Sequence, residues 1–395
     1  MYRRHLVIPK NSSFFLFGPR GSGKSTLLQN ELPPSKALWL DLLDPDQEAE
    51  FQMQPGHLLE RWQAAAPRPE WIVIDEVQKA PRLLDVVHQA IERHRIRFAL
   101  TGSSARKLKR GGANLLAGRA FVFHLHPFSS FELGPDFSLA DALQWGTLPK
   151  AAALQDPEDR KRFLRAYVQT YLKEEIQVEQ AVRKVEPFRR FLEVAAQSNG
   201  EILNYSRLGR EAGIEAKSVE RYFQILSDTL LGFFLEAYHP SIRKRQLSKP
   251  KFYFFDLGAC RAAQNALDIP VLPRTFAYGR AFEHLVILEC IRLNDALERG
   301  FGFSYLRTKD DAEVDLIIER PGKSSLLVEV KSSDRVDPAS LRNLRDFGKA
   351  IRGSERMVLC RERSPREADG VSILPWQDGL RRIFEPQSPP PASGS

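Results

Sequence analysis

Gly18-Pro19-Arg20-Gly21-Ser22-Gly23-Lys24-Ser25 is the stretch that decides the fold of the first third of this chain. It follows an apolar run, Phe14–Phe17, and precedes a helical pattern over Thr26–Glu31, so it sits in a strand–loop–helix unit. Glycines at 18, 21 and 23 let backbone N–H groups curl around an anion, and the N-terminus of the following helix adds positive potential. With a lysine and a hydroxyl in register at 24 and 25, the loop is built for the phosphates of ATP or another nucleoside triphosphate. Gly18, Pro19, Arg20, Gly21, Ser22, Gly23, Lys24, Ser25 and Thr26 are the expected nucleotide contacts. Lys24 would pair with the β and γ phosphates, and the Ser25 hydroxyl would hold Mg²⁺.

On either side of the loop, the first 150 residues or so alternate apolar runs with helical patterns, which predicts a mainly parallel sheet. The expected strands are Phe14–Phe17, Ala37–Asp41, Trp71–Asp75, Arg97–Thr101 and Ala120–His124. Trp71-Ile72-Val73-Ile74 delivers Asp75 and Glu76 to the sheet edge where ligands bind in open α/β folds. Asp75 is read as a second Mg²⁺ holder. Glu76 is read as the group that orients or deprotonates the attacking water, with helix capping as the other role open to this acidic pair. Arg97–Thr101 ends in Gly102, Ser103 and Ser104, where a hydroxyl would sense the γ-phosphate or cap the next helix; Ser103 is the favoured one. Arg119 is a candidate arginine finger, acting in cis or from a neighbouring subunit, or else a surface arginine. A trans-acting Arg119 requires a homo-oligomer; a cis-acting one does not.

These residues resemble a prokaryotic group of AAA-type P-loop ATPases. The resemblance is carried by the phosphate loop, Asp75-Glu76-Val77-Gln78, Thr101-Gly102-Ser103-Ser104 and Leu116-Ala117-Gly118-Arg119. It continues through Lys249-Pro250-Lys251-Phe252-Tyr253-Phe254-Phe255-Asp256-Leu257-Gly258 and Gly279-Arg280-Ala281-Phe282-Glu283. Members join the ATPase to a C-terminal region known as a domain of unknown function. The resemblance therefore implies ATP binding and hydrolysis and says little of the activity of the C-terminal half.

The chain has 395 residues, a net charge of +8 and a sequence pI near 9.3, a balance that favours an anionic partner such as nucleic acid. From about Pro157 to Phe234 the pattern is helical. Tyr205–Ile214 and Lys217–Leu226 read as two helices about a turn at Gly213, the helix-turn-helix arrangement. Lys217, Ser218 and Arg221 would then face a DNA major groove. Arg243, Lys244 and Arg245, followed by Lys249 and Lys251, carry five bases and no acid where a wing would fall, and would grip phosphates. A winged-helix unit packed on the ATPase as a protein contact is the other reading.

Near the C-terminus, Glu313–Ile318 and Ser325–Lys331 read as strands joined through Arg320-Pro321-Gly322-Lys323. A hairpin centred on Gly322 sets Asp315 opposite Glu329, with Lys331 on the same face as Glu329. Facing carboxylates repel, so such a pair calls for a cation between them. Asp315, Glu329-x-Lys331 and Glu283 on the preceding helix, predicted over Ala281–Leu297, resemble the restriction-endonuclease-like PD-(D/E)xK arrangement, with Val314 where that pattern has proline. The resemblance implies Mg²⁺ or Mn²⁺ held by Asp315 and Glu329, assistance from Glu283, and Lys331 activating water. A catalytically silent fold used as a DNA clamp, or a nucleotide-dependent switch binding DNA or a protein, are the competing functions.

The expected fold is therefore α/β. A P-loop ATPase domain with a parallel sheet (1–155) is followed by a helical, winged-helix-like region (156–272), a mixed α/β restriction-endonuclease-like domain (273–385) and a disordered tail (386–395). No run of about 20 apolar residues predicts a membrane span. Met1–Leu6 leads into no apolar signal core, and Cys260, Cys290 and Cys360 form no disulfide or metal-knuckle pattern, so a cytoplasmic location is expected.

Overall fold

The computed structural model describes residues 2–103, 116, 118–171, 185–239, 249–308, 312–351 and 353–385. Ser104, Ala117, Arg243, Lys244, Arg245 and the 386–395 tail lie outside the described residues.

Five strands form an all-parallel sheet: β1 (Ser13–Phe17), β2 (Ala37–Asp41), β3 (Trp71–Asp75), β4 (Arg97–Gly102) and β5 (Ala120–His124), in the order β2-β3-β4-β1-β5. Parallel strands need crossover helices and are covered on both faces, which is why β1 and β3 are buried along their whole length and apolar except for Ser13 and Asp75. Strand alternation sorts the side chains. Phe15, Phe17, Ile72, Ile74, Phe98 and Leu100 pack with helices α2 (Pro45–Met53), α3 (His57–Ala64) and α4 (Leu83–His94). Phe14, Leu16, Val73 and Ala99 take the other face, with Leu27 and Leu28 of helix α1 (Lys24–Glu31).

Short helices α5 (Ser130–Leu133), α6 (Leu139–Trp145) and α7 (Pro149–Ala153) lead to α8 (Pro157–Tyr171). Next come α9 (Val185–Gln197), α10 (Tyr205–Ala212) and α11 (Ala216–Asp228), with Gly213 capping α10 in a left-handed conformation. These helices share one core around Phe188, Phe191, Tyr222 and Phe223.

A second, eight-stranded sheet is mixed. Its strands are β6 (Gly232–Ala237), β7 (Lys251–Phe254), β8 (Gly302–Arg307), β9 (Glu313–Glu319), β10 (Leu326–Val330), β11 (Glu355–Cys360), β12 (Arg366–Ala368) and β13 (Val371–Pro375), in the order β12-β13-β11-β10-β9-β8-β6-β7. Helix α12 (Leu257–Ala263) precedes α13 (Phe276–Ala296), which packs on this sheet with α15 (Trp376–Phe384) through Phe282, Leu285, Val328, Leu359 and Leu380. Helix α14 (Arg342–Ala350) covers the opposite face through Leu344. The sheet draws strands from both sides of residue 272: β6 pairs with β7 in a hairpin and, parallel, with β8.

The far end of α13 is tied to the segment leaving the first sheet. Glu289 and Arg292 are buried side by side, 3.3 Å apart. Glu289 accepts from the Ser130 N–H (2.9 Å) and hydroxyl (2.6 Å), while Arg292 donates to the carbonyls of Phe128 (2.9 Å) and Phe255 (3.2 Å) and to Thr147 Oγ1 (3.0 Å). His126 meets Asp295 at 2.7 Å. Among the described residues no helix is long and apolar enough to cross a membrane.

Candidate functional sites

The phosphate loop leaves the C-terminal end of β1, between that strand and the N-terminus of α1. Gly21 and Gly23 take φ of 74° and 95°, which only glycine adopts without strain, and this lets the loop close on itself. The Lys24 ammonium is buried and donates to Gly18 O (2.8 Å) and Pro19 O (3.3 Å), folded back over the loop's interior. The Ser22 hydroxyl is fully buried and meets no hydrogen-bond partner among the described residues, an orphaned polar atom in a cradle lined with backbone.

Neighbouring strands bring the acidic residues to this edge. Ser25 Oγ donates to Asp75 Oδ2 at 2.6 Å, and Thr101 Oγ1 donates to the other oxygen of the same carboxylate. Glu76 sits in the left-handed region (φ 58°), an uncommon and strained setting for a side chain of this size. Its N–H is held by Thr101 Oγ1 at 3.1 Å. Gln78 Nε2 donates to the Glu76 carboxylate and to Ser103 Oγ (3.1 Å), and Ser103 Oγ lies 3.3 Å from Glu76 Oε2. Glu76, Gln78 and Ser103 therefore form one polar cluster beside the loop. Thr101 and Gln78 are additions that sequence reasoning missed, although both stand within motifs already singled out.

Elements outside the first sheet reach the same loop. Arg4 Nη1 donates to Ser22 O (3.0 Å), and its Nε pairs with Glu132 of α5 (3.0 Å). Tyr167 of α8 donates to Arg20 O at 2.9 Å.

Arg119 is placed elsewhere. The β1–β5 register pairs Ser13 with Ala120 and Phe17 with His124, so Arg119 stands at the sheet edge opposite the loop. Four strand residues, about 13 Å, separate the two levels, and the Arg119 guanidinium pairs with Glu92 of α4. In this arrangement the side chain is shorter than the distance it would have to span to reach the loop of its own chain.

The second cluster lies on the mixed sheet. The β9–β10 pairs 326/318, 327/317 and 328/316 have their midpoint at Gly322, and one more step in that register sets Asp315 against Glu329. Asp315 Oδ2 accepts from Val330 N (2.7 Å), and Glu329 Oε1 from Lys331 Nζ (2.6 Å). Glu283, on α13, accepts from the Tyr253 hydroxyl (2.7 Å). Lys251 lies 2.5 Å from Glu313 and 3.8 Å from Glu283. Burial, then the Glu329 and Glu283 charges, holds the Asp315 carboxyl well above the usual range. Burial raises Glu329 too, against the pull of Lys331. For Lys331, burial works against the charged form, but Glu329 outweighs it and the pKa rises.

The structure makes one correction here. Lys251 is 4% exposed and ion-paired, so it is no phosphate-gripping wing residue. Lys251 and Lys331 bring positive charge to Glu283, Glu313 and Glu329. Among the described residues no three His, Cys, Asp or Glu side chains are gathered as a metal cage. Glu329 Oε2 nevertheless remains buried without a hydrogen-bond partner among the described residues. Lys251, Tyr253 and Glu313 were missed from sequence because only the tertiary pairing of β7, β6, β8 and β9 brings them to Glu283.

On α11, Lys217 and Arg221 are exposed and Ser218 half-buried, while Val219, Tyr222, Phe223 and Leu226 face the core.

Residues 10–134, which hold the loop, Asp75, Glu76 and Ser103, match the family model described as AAA domain. The chain carries an AAA domain, P-loop ATPase-like, at its N-terminus. Residues 136–269 match a domain of unknown function (DUF8612), and residues 278–378 match a second one (DUF4143). The chain is also 28% identical over 313 residues to "Uncharacterized protein Rv2008c" of Mycobacterium tuberculosis and to "Uncharacterized protein Mb2031c" of Mycobacterium bovis, covering 78% of this chain and 68% of each relative. The AAA domain points to nucleotide binding and hydrolysis, and the two other matches leave the rest of the chain without an assigned activity.

Proposed function

We propose that the protein is a magnesium-dependent, ATP-hydrolysing AAA-type switch whose nucleotide state governs DNA binding or processing by its C-terminal half. The observation that carries the reading is the Ser25–Asp75 contact at 2.6 Å, with strained Glu76 beside it at the mouth of the phosphate loop. Gly18 through Thr26 cradle the phosphates, and the orphaned Ser22 hydroxyl and the folded-back Lys24 ammonium fit an anion there. Ser25 and Asp75 are the residues to hold Mg²⁺, which when bound offsets charge on the transferring phosphoryl group. Glu76 takes the proton of the attacking water, and Gln78 and Ser103 fix the carboxylate's direction. Arg119, remote from the loop within its own chain, either reaches the loop of a neighbouring subunit, in which case the working form is a homo-oligomer, or is a surface arginine paired with Glu92.

In the C-terminal half, α9–α11 and the β6–β7 hairpin are read as a winged-helix unit that presents Lys217, Ser218 and Arg221 to DNA. Asp315, Glu329, Glu283 and Lys331 are read as a nuclease-like site. The buried, unpartnered Glu329 Oε2 fits a second Mg²⁺ or Mn²⁺. The two lysines already paired with Glu283, Glu313 and Glu329 favour a second reading, a DNA clamp that does not cut.

Assays of ATP hydrolysis and DNA cleavage on one preparation test the proposal. Lys24→Ala should abolish hydrolysis, and Glu76→Gln should bind ATP yet turn over on the order of 10²–10⁴-fold more slowly. Asp315→Ala should remove metal-dependent cleavage and keep ATP hydrolysis. Full hydrolysis by Glu76→Gln would sink the ATPase assignment of that residue. Absence of cleavage of single-stranded, duplex or branched DNA with either metal would leave the clamp.

A further inference from the structure

Strands β10 and β11 are parallel and end at the same edge of the mixed sheet, the edge that carries Glu329 and Lys331. The loops leaving them wall an open groove of about 850 Å³, lined by Asp334, Arg335, Arg361, Glu362, Arg363 and Arg366 among others. The groove is built rather than incidental. Arg361 N donates to Ser333 O (3.1 Å), and Glu362 Oε1 accepts from Val336 N (2.7 Å). Arg366 clasps Glu362 through Nε and Nη2, both at 2.8 Å, and reaches Val336 O at 2.7 Å.

Its charge is one-sided. Arg361 pairs with Asp334 (3.3 Å) and Arg366 with Glu362, which uses both of the lining carboxylates. Arg335 and Arg363 are exposed and, among the described residues, make no close ion pair, although the Arg335 charge also acts on Glu362; four guanidinium groups over two carboxylates leave the lining net positive for an outside anion. The groove and the carboxylate cluster lie at the same end of β10 and β11. Lys331 N bonds Leu359 O at 2.9 Å, and Arg361 lies over the Tyr278 ring (5.2 Å) on the α13 turn that leads to Glu283.

We propose that this groove is a backbone track for DNA, in which Arg335 and Arg363 grip successive phosphates of a strand directed toward Glu283, Asp315 and Glu329. This rests on the nucleic-acid reading of the C-terminal half. Guanidinium forks match phosphate oxygens in pairs, and ligands of parallel strands collect at their C-terminal edge. A track of this kind holds the backbone without reading sequence.

The test is binding of a fluorescent 30-nucleotide DNA, single-stranded and duplex, to the full chain across a salt series. Arg335→Ala/Arg363→Ala should flatten the slope of log affinity against log salt by roughly 0.9 per lost phosphate contact on duplex and roughly 0.7 on single strands. For two contacts, the affinity difference between wild type and variant shrinks about tenfold as duplex is taken from 50 to 200 mM salt. Arg335→Lys/Arg363→Lys should restore most of the slope, and an unchanged melting curve shows that the alanine variant is folded. An unchanged slope in a protein that does bind DNA overturns the track and leaves the nucleic-acid reading standing. Failure of the wild type to bind either DNA overturns both.

Discussion

Replacing Arg292 by methionine should be among the most damaging single changes in the chain. Methionine keeps much of the volume and none of the hydrogen bonds. Arg292 is 3% exposed and donates to Phe128 O, Thr147 Oγ1 and Phe255 O, as well as to Glu289, itself fully buried. Each buried acceptor left without a donor costs about 1–3 kcal/mol, although Thr147 can turn its hydroxyl elsewhere. Removing one partner of a buried ion pair costs about 3–5 kcal/mol. These overlap, and burial already pushes the Glu289 carboxyl up, so without Arg292 it takes a proton and limits the loss. The expected destabilisation at pH 7 is about 4 kcal/mol, measured by urea unfolding. Because the variant's Glu289 is protonated more readily folded than unfolded, its deficit should shrink as pH falls from 7 toward 5. Glu289→Gln keeps an acceptor for Ser130 and should cost less, and the double variant should cost about 2 kcal/mol less than the two singles together. A loss below about 1 kcal/mol, simply additive with Glu289→Gln, would refute the account of this junction.

Two further outcomes are expected. Gly102→Ala puts a Cβ 2.6 Å from Gln78 Oε1, which must move and release Glu76; ATP should still bind while turnover falls severalfold, and unchanged kcat would remove Gln78 from the site. His284 is buried between Asn199 and the Phe254 carbonyl, and burial lowers its pKa to about 3. The unfolded chain protonates first, near pH 6.5, so this group's contribution is complete above that pH and declines by about 1.4 kcal/mol for each unit below it. Urea titrations from pH 7 to 5 should show a steeper loss in the wild type than in His284→Gln, and equal slopes would contradict it.

Local pattern carried much of this fold. The five strands of the first sheet could be placed almost to the residue, since each is a short apolar run closed by turn residues. The β9–β10 register followed from one turn at Gly322, because a hairpin's pairing is fixed by its centre. Arg119 was legible as a residue but not as a place: its distance from the loop depends on the parallel alignment of β1 with β5, more than 100 residues apart in sequence. Lys251 read as one base in a basic run, yet it is buried against Glu313, a partner 62 positions away. Pairings at such separations leave no periodicity in the chain, and neither does the Glu289–Ser130 contact.

The mixed sheet also bears on how this protein can be divided. A cut near residue 272 looks harmless on paper, since it falls between helices. It would strip β6 and β7 from β8 and leave the backbone donors and acceptors of Gly302–Arg307 as a bare edge, the kind of surface on which chains stick to one another. The helical unit and the carboxylate strands thus behave as halves of one garment sharing a seam, and any recombination or truncation that respects the fold has to keep that seam closed.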